Sequence, residues 1–292
     1  MLTTCPTADP ARALQYRDGL YAVDLLTAAV AHLNFFTWLD AHSGLTSGQI
    51  SAQLRFAERP VDVLLTLCRA NGFVCTTGDG GNSLTPVARE HLVRGSPWYL
   101  GPYFDSLKDR PAAVDYVSVF RTGKPARFAS AAEKEDWHKA MLREDFARQF
   151  TAGMDCRGLA LGQVLAKALT PHIGGRTRVL DIGGGSGIYA ATLVAAHPHM
   201  SGVVLEQAPV DAIARRALAG HGLSDRIDVV TANMFTDSWP AADIHLLSNV
   251  LHDWDIPEVR AILKRSSAHL PMGGLLIIQE VFITDDQTGP LP

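Results

Sequence analysis

Two clusters in the second half of the 292-residue chain combine residue types and spacings that can do chemistry. The first is Asp181-Ile182-Gly183-Gly184-Gly185-Ser186-Gly187, which follows the apolar pair Val179-Leu180 and precedes Ile188-Tyr189-Ala190-Ala191. That order predicts a strand, a tight turn and a helix, the opening of a βαβ unit. Glycines let the turn bend sharply and let a ligand approach without Cβ obstruction. The helix start adds free N–H groups and a positive dipole end. A nucleotide-like ligand follows. Counting from Gly183 and Gly185, the third glycine of a dinucleotide fingerprint would fall at Ile188, so that fingerprint is absent. Asp181 would repel a pyrophosphate but suits an ammonium group. S-adenosylmethionine (SAM) carries an amino-acid tail and a sulfonium and lacks phosphate, which makes Asp181, Gly183 and Gly185 candidate cofactor residues.

The second cluster is Asn249-Val250-Leu251-His252-Asp253-Trp254-Asp255. A lone histidine is more often structural. His252, in a polar group at the end of an expected strand, is instead placed to act as a base near neutral pH.

These clusters need a scaffold, and from Thr177 onward the sequence alternates strand and helix patterns. Strands are expected near 178–182, 202–206, 227–231, 243–248 and 275–281, with helices near 187–196, 209–220 and 256–268. This is an α/β doubly wound, Rossmann-like sheet, whose ligands sit at the carboxyl ends of the strands. The residues just after each strand are therefore the informative ones. Glu206, with Gln207 beside it, can accept both hydroxyls of a ribose. Asn233 can pair with an adenine edge while Met234 packs on its face. Ser248 and Glu280 stand at the ends of the last two strands.

The length suits two domains, and 47% apolar residues suffice for real cores. A net charge of −4 gives no electrostatic case for nucleic acid. No apolar run reaches membrane-spanning length, and Met1 to Leu14 carries no apolar signal core, so a cytoplasmic protein is expected. Cys5, Cys68, Cys75 and Cys156 show no CxxC spacing, which predicts reduced, mostly buried thiols.

The N-terminal part reads as helices with a small hairpin. Leu20, Val23, Leu26, Ala29, Val30 and Leu33 recur at helical spacing on a broad face that could also pack against a second subunit. Capping residues precede a helix through Leu54, another follows Pro60, and Val74 to Thr85 forms a hairpin around Gly78-Asp79-Gly80-Gly81. Two helices and a wing resemble a winged helix. Between residues 44 and 95, however, five arginines face four acids, which is no footprint for phosphates. A structural or dimerising role is expected instead. Residues 101–170 are helical and aromatic-rich, with Tyr103, Phe104, Tyr116, Phe120, Phe128, Trp137, Phe146 and Phe150. Thr170 to Gly175 reads as a linker. The expected divisions are a winged-helix-like dimerisation domain over 1–100, a connector and pocket wall over 101–172, and a SAM-binding domain over 173–292.

Asp181 to Gly187, Glu206, Asn233-Met234-Phe235, Leu251-His252-Asp253-Trp254 and Pro271-Met272-Gly273-Gly274 with Glu280 resemble the SAM-dependent O-methyltransferases of small phenolic molecules. The resemblance covers nearly the whole chain and is most specific in Leu-His-Asp-Trp. It implies a class I methyltransferase fold, a homodimer and a small hydroxylated aromatic substrate. The product cofactor is S-adenosylhomocysteine, and no metal is called for. It further implies that His252 is the general base, that Asp253 touches the acceptor hydroxyl and that Glu280 orients the histidine. Phe150 and Met154 resemble the residues walling the methyl-transfer site.

Three positions depart from the family. Asn233 replaces a common aspartate, Gly158 replaces a serine that holds the SAM carboxylate, and Ser248 stands where plant members carry lysine. Members also continue after the fifth strand with a helix and an antiparallel strand pair. Without that pair, Leu275 to Ile278 would form a bare edge, so either the chain is part of a longer one or another subunit covers that edge. The expectation is a longer natural chain, with these residues alone aggregation-prone and poorly active. A SAM-binding homologue without methyl transfer is the alternative reading.

Overall fold

The computed structural model describes residues 1–124 and 140–289; Phe128 and Trp137 lie outside them. The chain forms two compact units, Pro10–Trp137 with Phe282–Pro292, and Met1–Asp9 with His138–Val281.

In the first unit, α1 (Ala11–Thr27) runs into a π-helical turn, Ala28–His32. Leu25, Ala28, Ala29 and Val30 are buried, whereas Leu20 and Val23 are about half exposed. The broad apolar face therefore divides into a core side and an outer side. After Asn34, at φ 50°, α2 (Phe35–Ala41) buries Phe35, Phe36 and Leu39. Thr46 and Gln49 form a capping box on α3 (Ser47–Leu54), satisfying N–H groups that the first turn leaves free. Helix α4 (Glu58–Ala70) turns Val61, Leu64, Leu65 and Cys68 inward, as their spacing predicts. The hairpin of β1 (Val74–Thr76) and β2 (Asn82–Leu84) follows, then α5 (Pro86–Leu92), α6 (Gly101–Asp105) and α7 (Pro111–Thr122). Only Cys68 is a buried thiol, its pKa pushed up to about 12 by burial. Cys5, Cys75 and Cys156 are exposed, which corrects the expectation of mostly buried cysteines.

The second unit starts with α8 (Glu144–Ile173). The expected linker at 170–175 is mostly helix: α8 continues through Pro171 to Ile173, which is 2% exposed, and stops at Gly174. Burial of Ile173 holds the last turn in place despite the proline. Then come β3 (Arg178–Ile182), α9 (Ile188–Ala196), β4 (Ser201–Glu206), α10 (Val210–Gly220), β5 (Ile227–Thr231), β6 (Ile244–Ser248), α11 (Ile256–His269) and β7 (Leu275–Gln279). The five strands are parallel in the order β5-β4-β3-β6-β7. The chain steps outward from β3 to β5, then returns to the other side of β3, and this reversal opens a crevice at the strands' carboxyl ends.

Helix α9 is buried from Ile188 to Val194, an all-round apolar helix packed against α8 as well as the sheet. Glycines in α8 allow the approach. A Cβ on Gly162 would lie 2.4 Å from Thr192 Oγ1, and one on Gly158 2.5 Å from Ile188 Cγ2. Thr192 is fully buried and donates to Tyr189 O, so it has little room to yield. Gly162→Ala is therefore expected to destabilise the fold by about 1–3 kcal/mol. Thermal unfolding would show this, and an unchanged midpoint would contradict the packing argument.

Candidate active site

The glycine turn leaves β3 with Gly183, Gly185 and Gly187 all at positive φ, between 58° and 79°, a backbone that side-chain-bearing residues rarely adopt. Gly184 is required for another reason: a Cβ there would sit 2.5 Å from the Asp181 carboxyl carbon. Asp181 is fully enclosed beneath the turn, and neither of its oxygens has a well-formed hydrogen bond. Burial pushes its pKa up to about 7, the Ala190 N–H offsetting only part of the effect. One strand over, Glu206 accepts the N–H of Gly185 at 3.0 Å through Oε2 and that of Gln207 at 2.8 Å through Oε1. It too is pushed up to about 7, by burial first. Each of its oxygens retains a lone pair for a further donor.

After β5, Met234 is buried and its sulfur lies beside Gly183, while Phe235 packs edge-on against Trp254 at 4.6 Å. The Asn233 side chain also makes a local contact. Its Oδ1 accepts the N–H of Phe235 at 2.8 Å, closing a local turn. A carbonyl oxygen has a second lone pair, so both it and Nδ2 can still serve recognition.

At the end of β6, Ser248 gives its hydroxyl to Gln279 Oε1 at 2.6 Å. That side chain is thereby engaged in joining two strands. The next turn carries His252, and Glu280, just beyond β7, holds it. Glu280 Oε1 accepts the N–H groups of Val250 and Leu251 at 2.9 Å each, and His252 Nδ1 lies 2.7 Å from Oε2. His252 Nε2 stands 3.5 Å from Asp253 Oδ1. The Glu280 hydrogen bond raises the histidine's pKa, with help from the Asp253 and Glu280 charges and against burial and Arg157. Burial would raise Glu280, but its contacts with His252 and the two N–H groups outweigh this and leave it below the usual carboxylate range. The sequence separation between His252 and Glu280 is bridged by parallel pairing of β6 with β7, which sets Ser248 against Gln279.

Helix α8 contributes the remaining side chains. Phe146 and Phe150 stack with ring centres 6.2 Å apart, and Met154 is half-buried one turn on. Arg157 was missed by the sequence reading. Its Nη2 lies 3.8 Å from Met154 Sδ, its Nε is buried without a partner, and its charge reaches both Tyr189 and His252. The available signal was a cation three residues after Met154 and next to Gly158. No serine fits at 158, because Ile188 occupies the space.

A family model described as an O-methyltransferase domain matches residues 115–292. The chain is 31% identical over 287 residues to the 3-hydroxy-5-methyl-1-naphthoate 3-O-methyltransferase of Streptomyces sahachiroi, covering 94% of this chain and 77% of that protein. It is 40% identical over 251 residues to the 2,7-dihydroxy-5-methyl-1-naphthoate 7-O-methyltransferase of Streptomyces carzinostaticus, covering 84% and 74%. Its fold matches the crystal structure of an O-methyltransferase family 2 protein from Planctomyces limnophilus in complex with apigenin. That match has a TM-score of 0.85 and 30% identity and covers 99% of this chain and 83% of that one.

Proposed function

Because the chain belongs to the family of SAM-dependent O-methyltransferases, we propose that it methylates a hydroxyl of a small aromatic molecule with His252 as general base. The observation that carries this reading is the Glu280–His252 pair at 2.7 Å. An ionised carboxylate only accepts hydrogen bonds, so Glu280 accepts one from Nδ1–H and fixes the neutral tautomer whose basic lone pair is on Nε2. A phenol loses its proton near pH 10 in water, so a positioned base speeds the reaction at neutral pH.

The residues around the glycine turn fit SAM. An enclosed, unsatisfied acid lies beneath the turn, and a partly unsatisfied guanidinium lies close by on α8. Glu206 would hold the ribose hydroxyls, with Gln207 beside it. Asn233 and Met234 would hold the adenine, and Arg157 the carboxylate in place of the missing serine. Asp181, out of reach of direct contact, would favour the ammonium through its charge. When bound, SAM supplies a methyl group already activated on sulfur, so the protein's part is alignment and proton removal. Phe150 and Met154 would wall the acceptor, and Asp253 would touch its hydroxyl. The naphthoate enzymes among the relatives favour a fused-ring acceptor of the phenolic or polyketide kind.

Incubation with methyl-deuterated SAM and a panel of hydroxylated aromatics tests the reading. A deuterated methyl ether supports it. Binding of SAM with no transfer to any acceptor would support the alternative, a homologue that has lost the reaction.

Cofactor affinity should also depend on pH. Positive charge and ribose donors favour the ionised forms of Asp181 and Glu206, which burial holds at about 7 in the free protein. Binding then releases protons, and affinity rises as pH climbs through about 7. Calorimetry in buffers of different ionisation enthalpy reads the proton count, and buffer-independent heats would contradict this.

A homodimer in the cytoplasm is part of the same reading, with α3, α4 and the hairpin as a winged-helix-like element. Exposed Tyr16, Leu20, Tyr21 and Val23 on α1 supply an apolar face for dimer contact. A monomer by light scattering would overturn the dimer. Among the described residues no single helix is long and apolar enough to cross a membrane.

A further inference from the structure

The turn that carries His252 begins at a residue with an unusual backbone. Asn249 sits at φ 54°, in the left-handed region, which asparagine tolerates better than most side chains. Its N–H donates to Gln279 O at 2.9 Å, extending the β6–β7 ladder by one residue. Its amide Nδ2 reaches Gln279 Oε1 at 2.9 Å and Tyr189 Oη at 3.1 Å. Ser248 donates to the same Gln279 oxygen. Tyr189 belongs to α9, directly after the glycine turn, and is buried.

Four consecutive residues are thus fastened to the end of β7. Asn249 binds Gln279, Val250 and Leu251 bind Glu280 Oε1, and His252 binds Glu280 Oε2. The first of them sets the direction of the other three. With ordinary negative φ at 249, the chain would leave β6 along another path, and the next two N–H groups would move off Glu280.

We propose that Asn249 is a positioning residue, which aims His252 through its left-handed backbone and ties it to the cofactor turn through Tyr189. The proposal rests on the assignment of His252 as the base. It goes beyond that assignment by placing the aim of the imidazole in a residue three positions upstream, one that meets Gln279 and Tyr189.

Three variants test it. Asn249→Ala, which disfavours positive φ and removes the amide, is expected to lower kcat by roughly 10–100-fold, the usual effect of a small misplacement. KM for SAM should stay near the wild-type value. Asn249→Gly restores the backbone alone and should recover part of the loss. Tyr189→Phe removes only the tie to α9 and should cost less than Asn249→Ala. A titration of the His252 ring followed by NMR gives a readout independent of turnover. Loosening the Glu280 contact should bring the ring's titration in Asn249→Ala down toward that of an ordinary histidine. An unshifted titration together with wild-type kcat would overturn the proposal. So would an alanine variant that loses thermal stability and SAM binding with its His252 titration unmoved, since that marks a merely structural role. If the wild-type protein methylates no acceptor, the functional reading fails, and the NMR titration still decides the placement of His252.

Discussion

Replacing His252 by glutamine is expected to slow methyl transfer by roughly 10²–10⁴-fold, the usual worth of a general base. Glutamine is close in size and can still hydrogen-bond to Glu280, so the turn from Val250 to Asp253 should persist. It has no lone pair basic enough to take a phenol's proton. The residues proposed to hold SAM lie at the ends of β3, β4 and β5 and on α8, away from this turn in sequence, so SAM affinity should hold. Turnover at saturating SAM and calorimetric binding separate the two effects. Wild-type turnover in the variant would remove His252 from the proton transfer and leave alignment alone to explain the rate.

Glu280→Gln should do comparable damage by a different route. A glutamine carbonyl can still accept the N–H groups of Val250 and Leu251, so the backbone need not move. Its amide, however, would face Nδ1 as a donor. The neutral imidazole would then carry its proton on Nε2, the atom that must receive one. In a triad where carboxylate was replaced by amide, the wrong tautomer lowered turnover by about 10⁴, and a loss of about 10³ or more is expected here on the same grounds. The pH profile should move too. Glu280 is the first cause of the raised His252 pKa. In the wild-type enzyme kcat/KM therefore rises with pH through a value above that of an ordinary histidine. In Glu280→Gln that acid limb should lie at lower pH, beneath a much lower plateau. Equal turnover in the two proteins would rule out the orienting role.

Much of the sheet was legible because its elements are local. Strand β3, the glycine turn and α9 follow from an apolar run, three alternate glycines and a helical stretch, none of which needs distant contacts. The starts of β4 and β6 differed from expectation by a residue, and β7 stops at Gln279, two residues short of the expected 281, as fraying boundaries do. The pairing of His252 with Glu280 was of another kind. No spacing rule links the two, and only the resemblance suggested it before strand pairing brought them together. Asn233 shows what residue type leaves open: an amide can close a turn as well as read a ligand, and the Phe235 N–H beside it takes one lone pair of the carbonyl. Arg157 was overlooked because an arginine on a helix is usually solvated. Its significance appears only when α8 packs on α9, the packing that also makes serine impossible at 158. The linker misread at Thr170 to Gly175 has a similar origin, since proline and glycines signalled a break while burial of Ile173 kept the helix intact.

The central claim is that His252 removes a proton from an aromatic hydroxyl. Its most direct test is the rate ratio of wild type to His252→Gln across a series of acceptors of one shape and graded hydroxyl acidity. Weakly acidic phenols need the base, whereas those already ionised at the assay pH do not. The ratio should therefore be large for the first and fall toward unity for the second. A ratio that stays constant across the series would contradict the account and make His252 a residue that only positions its substrate.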